Sequence, residues 1–229
     1  MLLRPAVYAH RGASRQETEN TVQAFASAAD MGVDGVELDV WKSRDGELMV
    51  HHDPDINGLL IGRLTASELP DYVPTLSSAL DVCRGLRVNI EIKSIEDQPL
   101  VALATAEVLI DILRSRSEPP DRWIISSFDH GVLDRVRHEA PEFLTGLLFW
   151  KQPWLPVLLH AVEHGHDALH PHETLVDEAL REATTKAAIG LNAWTVNDPV
   201  RVSELVDLGV DGLITDVPDE VLRILEFGS

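Results

Sequence analysis

Short apolar, β-rich runs alternate along this chain with stretches whose apolar residues recur at helical spacing. The runs Ala6 to His10, Gly35 to Val40, Val88 to Lys93, Trp123 to Phe128, Leu144 to Phe149, Ala168 to His170, Leu191 to Val196 and Gly212 to Thr215 predict eight strands. Between them, Thr21 to Met31, Leu100 to Arg114, His130 to Glu139, Leu155 to His164, Thr174 to Ala188, Pro199 to Leu208 and Pro218 to Phe227 predict helices. Capping chemistry marks their ends. Asn197 or Asp198 stands before Pro199 as an N-cap, and Gly32, Gly165, Gly190 and Gly209 sit where helices should stop. Eight strand–helix units close most naturally into an α/β fold of the (βα)8 TIM barrel type, with a doubly wound open sheet as the other arrangement.

One segment breaks the alternation. Asp45-Gly46 predicts a hairpin turn, so Glu47 to His52 should return antiparallel to the second strand. The stretch from Asp53 to Ser78 holds Gly58, Gly62, Pro70 and Pro74 without a sustained period. It is expected to form a small insertion after the second strand, about residues 45–80, lying over the barrel mouth. No low-complexity tract or Pro/Ser-rich linker interrupts the chain, so residues 1–229 are expected to form one domain.

Ionisable residues gather where apolar strands run out. In Gly35-Val36-Glu37-Leu38-Asp39-Val40 the side chains alternate, so Val36, Leu38 and Val40 share one face and Glu37 and Asp39 the other. With the apolar face against the helices, both carboxylates point into the barrel near its C-terminal rim. Asn89, Glu91 and Lys93 repeat this arrangement beside Ile90 and Ile92. Three carboxylates about 4 Å apart repel by roughly 4 kcal/mol per pair at an effective dielectric near 20. One divalent cation of the oxygen-preferring kind, Mg2+ or Ca2+, would neutralise Glu37, Asp39 and Glu91; ordinary ion pairs of Glu91 with Lys93 or Arg11 are the plainer reading. His10 and His52 also end apolar runs and titrate near neutrality, which suits proton transfer on opposite sides of a phosphodiester. Gly12 permits a sharp turn that aims Arg11 at a phosphate oxygen.

Composition narrows the partners. The chain of 229 residues carries 38 acidic and 19 basic side chains, a formal charge of -19, which argues against a nucleic-acid or anionic-membrane surface. A small anionic substrate therefore needs a local positive centre. The lone Cys83 forbids an internal disulfide and is expected to be a small buried helix residue. Met1 to Pro5 is too short for a leader and no stretch matches a membrane span, so a cytoplasmic protein without stable membrane insertion is expected.

A rival pattern lies further on. His160-Ala161-Val162-Glu163-His164 matches the H-x-x-E-H arrangement of zinc hydrolases, with His166, His170 and His172 nearby. Yet His164 precedes Gly165, where the helix C-terminus favours a histidine anyway, and that helix end faces the bottom of a barrel. Ser126 and Ser127 lack the G-x-S-x-G surroundings of a nucleophile elbow. A non-catalytic phosphodiester-binding module is a third reading, which the His10 and His52 pair opposes.

Taken in order, His10-Arg11-Gly12, Glu19-Asn20-Thr21 with Ala24-Phe25, Gly35 to Val40, Asp45-Gly46, His51-His52-Asp53, Asn89 to Lys93, Ser127-Phe128, Trp194-Thr195-Val196-Asn197 and Gly209 to Asp216 resemble the glycerophosphodiester phosphodiesterase family, in its bacterial cytoplasmic form. The resemblance implies a TIM barrel that hydrolyses glycerophosphodiesters to sn-glycerol 3-phosphate and an alcohol. It implies metal ligands at Glu37, Asp39 and Glu91, an acid/base pair at His10 and His52, phosphate contacts from Arg11 and Lys93, and Trp194 on the glycerol side. Similarity to phosphatidylinositol-cleaving lipases further suggests a route through a cyclic phosphate. Two positions depart from the family pattern: Thr18 replaces the usual Pro, and the segment after Asp53 lacks the usual Leu-Asp-Arg-Thr-Thr, offering Arg63-Leu64-Thr65 later. A lysophospholipase D of the same superfamily is the nearest alternative; it needs an apolar surface beside the site, for which Ile56 to Ile61 is the candidate.

Overall fold

The chain runs β1 (Ala6–His10), α1 (Val22–Asp30), β2 (Gly35–Lys42), β3 (Leu48–Val50), β4 (Asp55–Ile56), β5 (Leu59–Leu60), α2 (Leu76–Val82), β6 (Arg87–Ile92), α3 (Pro99–Ser115), β7 (Trp123–Ser127), α4 (His130–Glu139), β8 (Leu144–Phe149), α5 (Trp154–His164), β9 (Ala168–Pro171), α6 (Glu178–Ala187), β10 (Gly190–Ala193), α7 (Pro199–Leu208), β11 (Gly212–Thr215) and α8 (Pro218–Phe227). The computed structural model describes residues 4–95 and 98–227, so Met1 to Leu3 of the short leading segment lie outside the described residues.

Eight strands pair in parallel in the order β1, β2, β6, β7, β8, β9, β10, β11, and β11 returns to β1 with Ala6 opposite Gly212. The sheet closes, so no parallel edge is left unpaired, and the open-sheet arrangement is excluded. The predicted alternation holds along β2 and β6. Val36, Leu38, Val40, Ile90 and Ile92 are fully buried in the layer between strands and helices, together with Phe25, Leu80, Leu109, Leu133, Leu180 and Leu205. Each such side chain contributes about 1.5–3 kcal/mol of burial.

Inside the barrel the packing alternates small with large. Tyr8, Ile124 and Ile214 form a separate buried cluster, and His170 and Asn192 lie beside them. His170 fits because β8 has no side chain at Gly146: a Cβ there would stand 2.4 Å from the imidazole Nε2.

The helix starts follow the capping chemistry. Thr21, Asp129, Asp177 and Asp198 each accept a backbone N–H of the first turn, and Gly165 and Gly209 close α5 and α7 in the left-handed conformation. Gly190 is not a helix stop; Ala188 takes the left-handed cap at φ 56° and Gly190 begins β10. The helix predicted over Thr174 to Ala188 divides at Asp177, whose side chain caps α6 after a 3-10 turn at Glu173–Leu175. The strand predicted over Leu191 to Val196 ends at Ala193, beyond which Trp194 bridges only His172 and the chain departs to cap α7.

β3 pairs antiparallel with the end of β2, Val40 opposite Val50, as the Asp45-Gly46 turn requires. The segment after it is more ordered than its composition suggested. It holds the β4–β5 hairpin, 3-10 turns at Ile61–Arg63 and Ala66–Glu68, and α2, capped by Thr75. Ile56, Ile61, Leu69 and Val73 bury themselves against Trp41 and Met49 in a second small core. The apolar residues at Ile56 and Ile61 therefore hold the insertion in place and do not face a lipid chain; Leu59 alone of the hairpin apolar residues is strongly exposed.

Candidate active site

β2 and β6 bring Glu37, Asp39 and Glu91 together. One oxygen from each lies within 4.8 Å of the others, and all three residues are buried. The in-register pairing that sets Asp39 beside Glu91 is the cause: strand neighbours put side chains of the same face next to one another.

Two cations answer three carboxylates. Lys93 Nζ lies 2.8 Å from Glu91 and 3.2 Å from Asp39, and Arg11 Nε lies 3.3 Å from Asp39 while its Nη1 donates to Glu19. The plain ion pairs and the acidic cluster thus coexist, and among the described residues Glu37 is the one carboxyl of the three without a Lys or Arg side chain in ion-pair contact. Burial, then Asp39 close by, pushes its carboxyl up to about 8. Burial and Asp39 raise Glu91 as well. Against the penalty of burial, Lys93 and Arg11 hold Asp39 below the usual carboxylate range, and Asn20 Nδ2 donates to it at 2.8 Å. At an effective dielectric near 20, carboxylates this close repel by roughly 3–4 kcal/mol per pair.

The donor set fits a hard divalent cation. It supplies carboxylate oxygens, as Mg2+ and Ca2+ prefer, and the buried Asn89 Oδ1 faces the same cavity without a hydrogen-bond partner.

His10 and His52 flank this group. Asp216 accepts from His10 Nδ1 at 2.6 Å, which leaves Nε2 on the side of Glu37, 3.8 Å from its Oε2. Asp216 is itself held by Asn197 Nδ2 at 2.7 Å. His52 Nδ1 lies 2.8 Å from Asp53. Burial opposes charge on His10, but Asp216 and Glu37 outweigh it and its pKa rises; burial, then Lys93, lowers that of His52. Both rings line one cavity together with Arg11, Lys93, Phe128 and Trp194. Gly12 makes the turn behind His10 at φ 81°, and a Cβ there would meet the Ala24 backbone at 2.7 Å.

All eight predicted site residues therefore border one cavity or its acidic floor. Sequence reasoning assigned nothing to Asp216 and Asn20 and offered Asn197 only as an alternative helix cap, a role Asp198 takes; the three orient His10 and Asp39, and each stood within a family-like segment. It also missed the aromatic rim, where Trp194 meets Phe128, Trp150 and His172 at centroid distances of 5.4, 6.3 and 5.2 Å. Trp194 is fixed by donating from Nε1 to the His170 carbonyl.

The rival candidates lie elsewhere. Ser126 and Ser127 are fully buried, and Ser127 Oγ donates to the Ile92 carbonyl. Cys83 is buried, which pushes its thiol up to about 12. His160 and His164 meet Asp134 of α4, while Glu163 stays exposed, so the H-x-x-E-H residues do not assemble a hydrolase centre. Among the described residues no helix is long and apolar enough to cross a membrane.

The family model described as "Glycerophosphoryl diester phosphodiesterase family" matches residues 10–220. A glycerophosphodiester phosphodiesterase from Caldanaerobacter subterraneus subsp. tengcongensis is 31% identical over 254 residues, covering 99% of this chain and 100% of the relative. Lysophospholipase D GDPD1 of Mus musculus is 25% identical over 265 residues, covering 94% of this chain and 84% of the relative. A solved phosphodiesterase from Oleispira antarctica, in complex with the product sn-glycerol-3-phosphate, superposes with TM-score 0.86 at 25% identity, covering 97% of both chains. With a closed barrel, its acidic cluster and two flanking histidines already in place, this match over nearly the whole chain makes the protein a member of the glycerophosphodiester phosphodiesterase family.

Proposed function

We propose that this chain hydrolyses glycerophosphodiesters to sn-glycerol 3-phosphate and an alcohol, with one divalent cation, Mg2+ or Ca2+, held by Glu37, Asp39 and Glu91. The observation that carries this reading is the convergence of three buried carboxylates, one of them, Glu37, without a Lys or Arg partner, between His10 and His52. When bound, the cation would take the place of the proton that Glu37 otherwise holds and stabilise negative charge on the phosphate.

Arg11 and Lys93 hold phosphate oxygens, each giving up part of its contact with Asp39 to do so. Each catalytic histidine is anchored through Nδ1 by a carboxylate, Asp216 or Asp53, and so offers Nε2 to the reaction. One ring takes the proton of the attacking hydroxyl or water and the other protonates the departing alkoxide. Trp194, edge-on to Phe128, forms an apolar wall that suits the carbon side of glycerol. The cytoplasm is the compartment that suits the lone, buried Cys83.

Release of sn-glycerol 3-phosphate from glycerophosphocholine and glycerophosphoethanolamine, each with Mg2+ and with Ca2+, tests the proposal. Turnover that chelation abolishes is expected; no turnover with either ion defeats it. A lysophospholipid run in parallel distinguishes the lysophospholipase D reading, which the buried Ile56 and Ile61 disfavour. A substrate lacking the glycerol 2-hydroxyl examines the cyclic-phosphate route, since undiminished turnover excludes it.

A further inference from the structure

A second group of metal-ligating side chains sits on the outer wall of the barrel. His160 and His164 lie four residues apart on α5, so their rings share one helix face and stack at 4.2 Å. That face meets α4 at Asp134, whose Oδ1 lies 2.9 Å from His160 Nε2 and 3.4 Å from His164 Nδ1. These three ligand atoms all fall within 4.8 Å of one another. His166, just past the α5 cap, brings Nε2 to 2.9 Å from the same oxygen, while its Nδ1 lies 3.0 Å from Thr145 Oγ1.

Hydrogen bonding alone accounts for only part of this. An ionised Asp134 accepts from His160 and His166, whereas His164, stacked on His160 in the last turn of α5, brings Nδ1 to 3.4 Å from the same oxygen without a hydrogen bond. A tetrahedral ion with bonds of about 2.0–2.1 Å separates its ligand atoms by about 3.3–3.4 Å, which the spacings of 2.9 and 3.4 Å from Asp134 Oδ1 approach, and a turn of the partly exposed His164 ring out of its stack on His160 brings both in-plane lone pairs onto the ion. The ligand side chains are 28%, 29% and 39% exposed, open enough for an ion and a water to enter, whereas the His166 side chain is fully buried. A buried imidazole donating to a ligating carboxylate is the arrangement that fixes a metal ligand's orientation.

We propose that Asp134, His160 and His164 bind a zinc-class divalent cation, with water completing the coordination and His166 orienting Asp134. Two imidazoles and one carboxylate select Zn2+ over Mg2+ or Ca2+, so this site and the three-carboxylate group take different ions. The bound ion ties α4 to α5 and braces that side of the barrel. Glu163 takes no part, which separates this site from a zinc-hydrolase centre.

The full chain, stripped with a chelator and kept in excess Mg2+, is titrated with Zn2+ by calorimetry and melted with and without it. Wild type should take up one Zn2+ and melt at a higher temperature in its presence. His164→Ala should lose that uptake and that shift while still hydrolysing diester in Mg2+, and His166→Gln should weaken zinc binding about 10–100-fold. Zinc uptake that survives in His160→Ala and His164→Ala but vanishes in Glu37→Gln overturns the proposal, as does the absence of uptake by wild type. Co2+ bound to wild type provides a check that needs no variant. Visible bands of a nitrogen-ligated, four- or five-coordinate ion are expected, and the spectrum of a hydrated octahedral ion contradicts the site.

Discussion

Replacing Asp216 by Asn exchanges one carboxylate oxygen for an amide nitrogen and asks what holds His10 in place. In the native arrangement Asp216 accepts from His10 Nδ1 at 2.6 Å and from Asn197 Nδ2 at 2.7 Å, with a longer bond from Ser14 Oγ at 3.4 Å. An amide at 216 has a single acceptor oxygen, so either His10 or Asn197 must face its NH2 group. If the oxygen turns to Asn197, the His10 ring loses its anchor and with it the tautomer that presents Nε2 to the cavity. A hydrogen bond to a charged group contributes about 1.5–3 kcal/mol net, which translates into a loss of about 10–150-fold in kcat/KM. Asp216 is not among the residues lining the cavity, so KM should stay within about two-fold and the loss should appear in kcat. The assay follows sn-glycerol 3-phosphate release under saturating Mg2+ or Ca2+, with a thermal melt to show that the fold persists. A kcat/KM within two-fold of wild type refutes the argument that Asp216 positions His10.

Other perturbations test separate links. His52→Ala should lower kcat by about 10²–10⁴-fold if the ring transfers a proton, and wild-type turnover by that variant removes it from the mechanism. Gly146→Ala places a Cβ 2.4 Å from the His170 ring and should cost about 1–3 kcal/mol in urea unfolding; an unchanged midpoint would show that the barrel interior yields easily. His170 titrates near 6.5 when unfolded, while burial lowers it to about 4 in the native state. The unfolded chain therefore binds the proton first as the medium becomes acidic. The stability due to a neutral His170 is complete above about pH 6.5, drains away as the pH falls towards 4, and amounts to about 3 kcal/mol. Unfolding curves of wild type and His170→Gln across that range should diverge accordingly, and parallel curves would contradict the shift.

Much of this architecture was readable in the residues because strands and helix caps leave local marks. The alternation in Val36-Glu37-Leu38-Asp39-Val40 decides which side chains face the barrel interior, and a register shift of one residue would have buried the carboxylates among the helices. Asp129 and Asp198 stand directly before the helices expected from His130 and Pro199, whereas the helix expected from Thr174 ran through Asp177, which in fact caps it. What could not be read depends on contacts between distant parts of the chain. His10 and Asp216 are 206 positions apart, and Asn20 reaches Asp39 across a loop, so neither pairing leaves a periodic trace. Helix α2 was anticipated only at its end, around Cys83, because seven residues make barely two turns, too few to establish a period between Pro74 and Gly85. The insertion's apolar residues were legible as apolar, but only the folded chain reveals that Ile56 and Ile61 turn towards Trp41 and Met49.

The claim on which the functional account rests is that acidic side chains from β2 and β6 jointly hold one cation. Anomalous diffraction from crystals of the wild-type chain soaked in Mn2+, as a stand-in for Mg2+ or Ca2+, examines it most directly. A single strong peak within about 2.0–2.6 Å of oxygens from Glu37, Asp39 and Glu91 is the expected result. A map in which those three carboxylates remain bound only to Lys93 and Arg11, in crystals that hydrolyse the diester, would contradict the account.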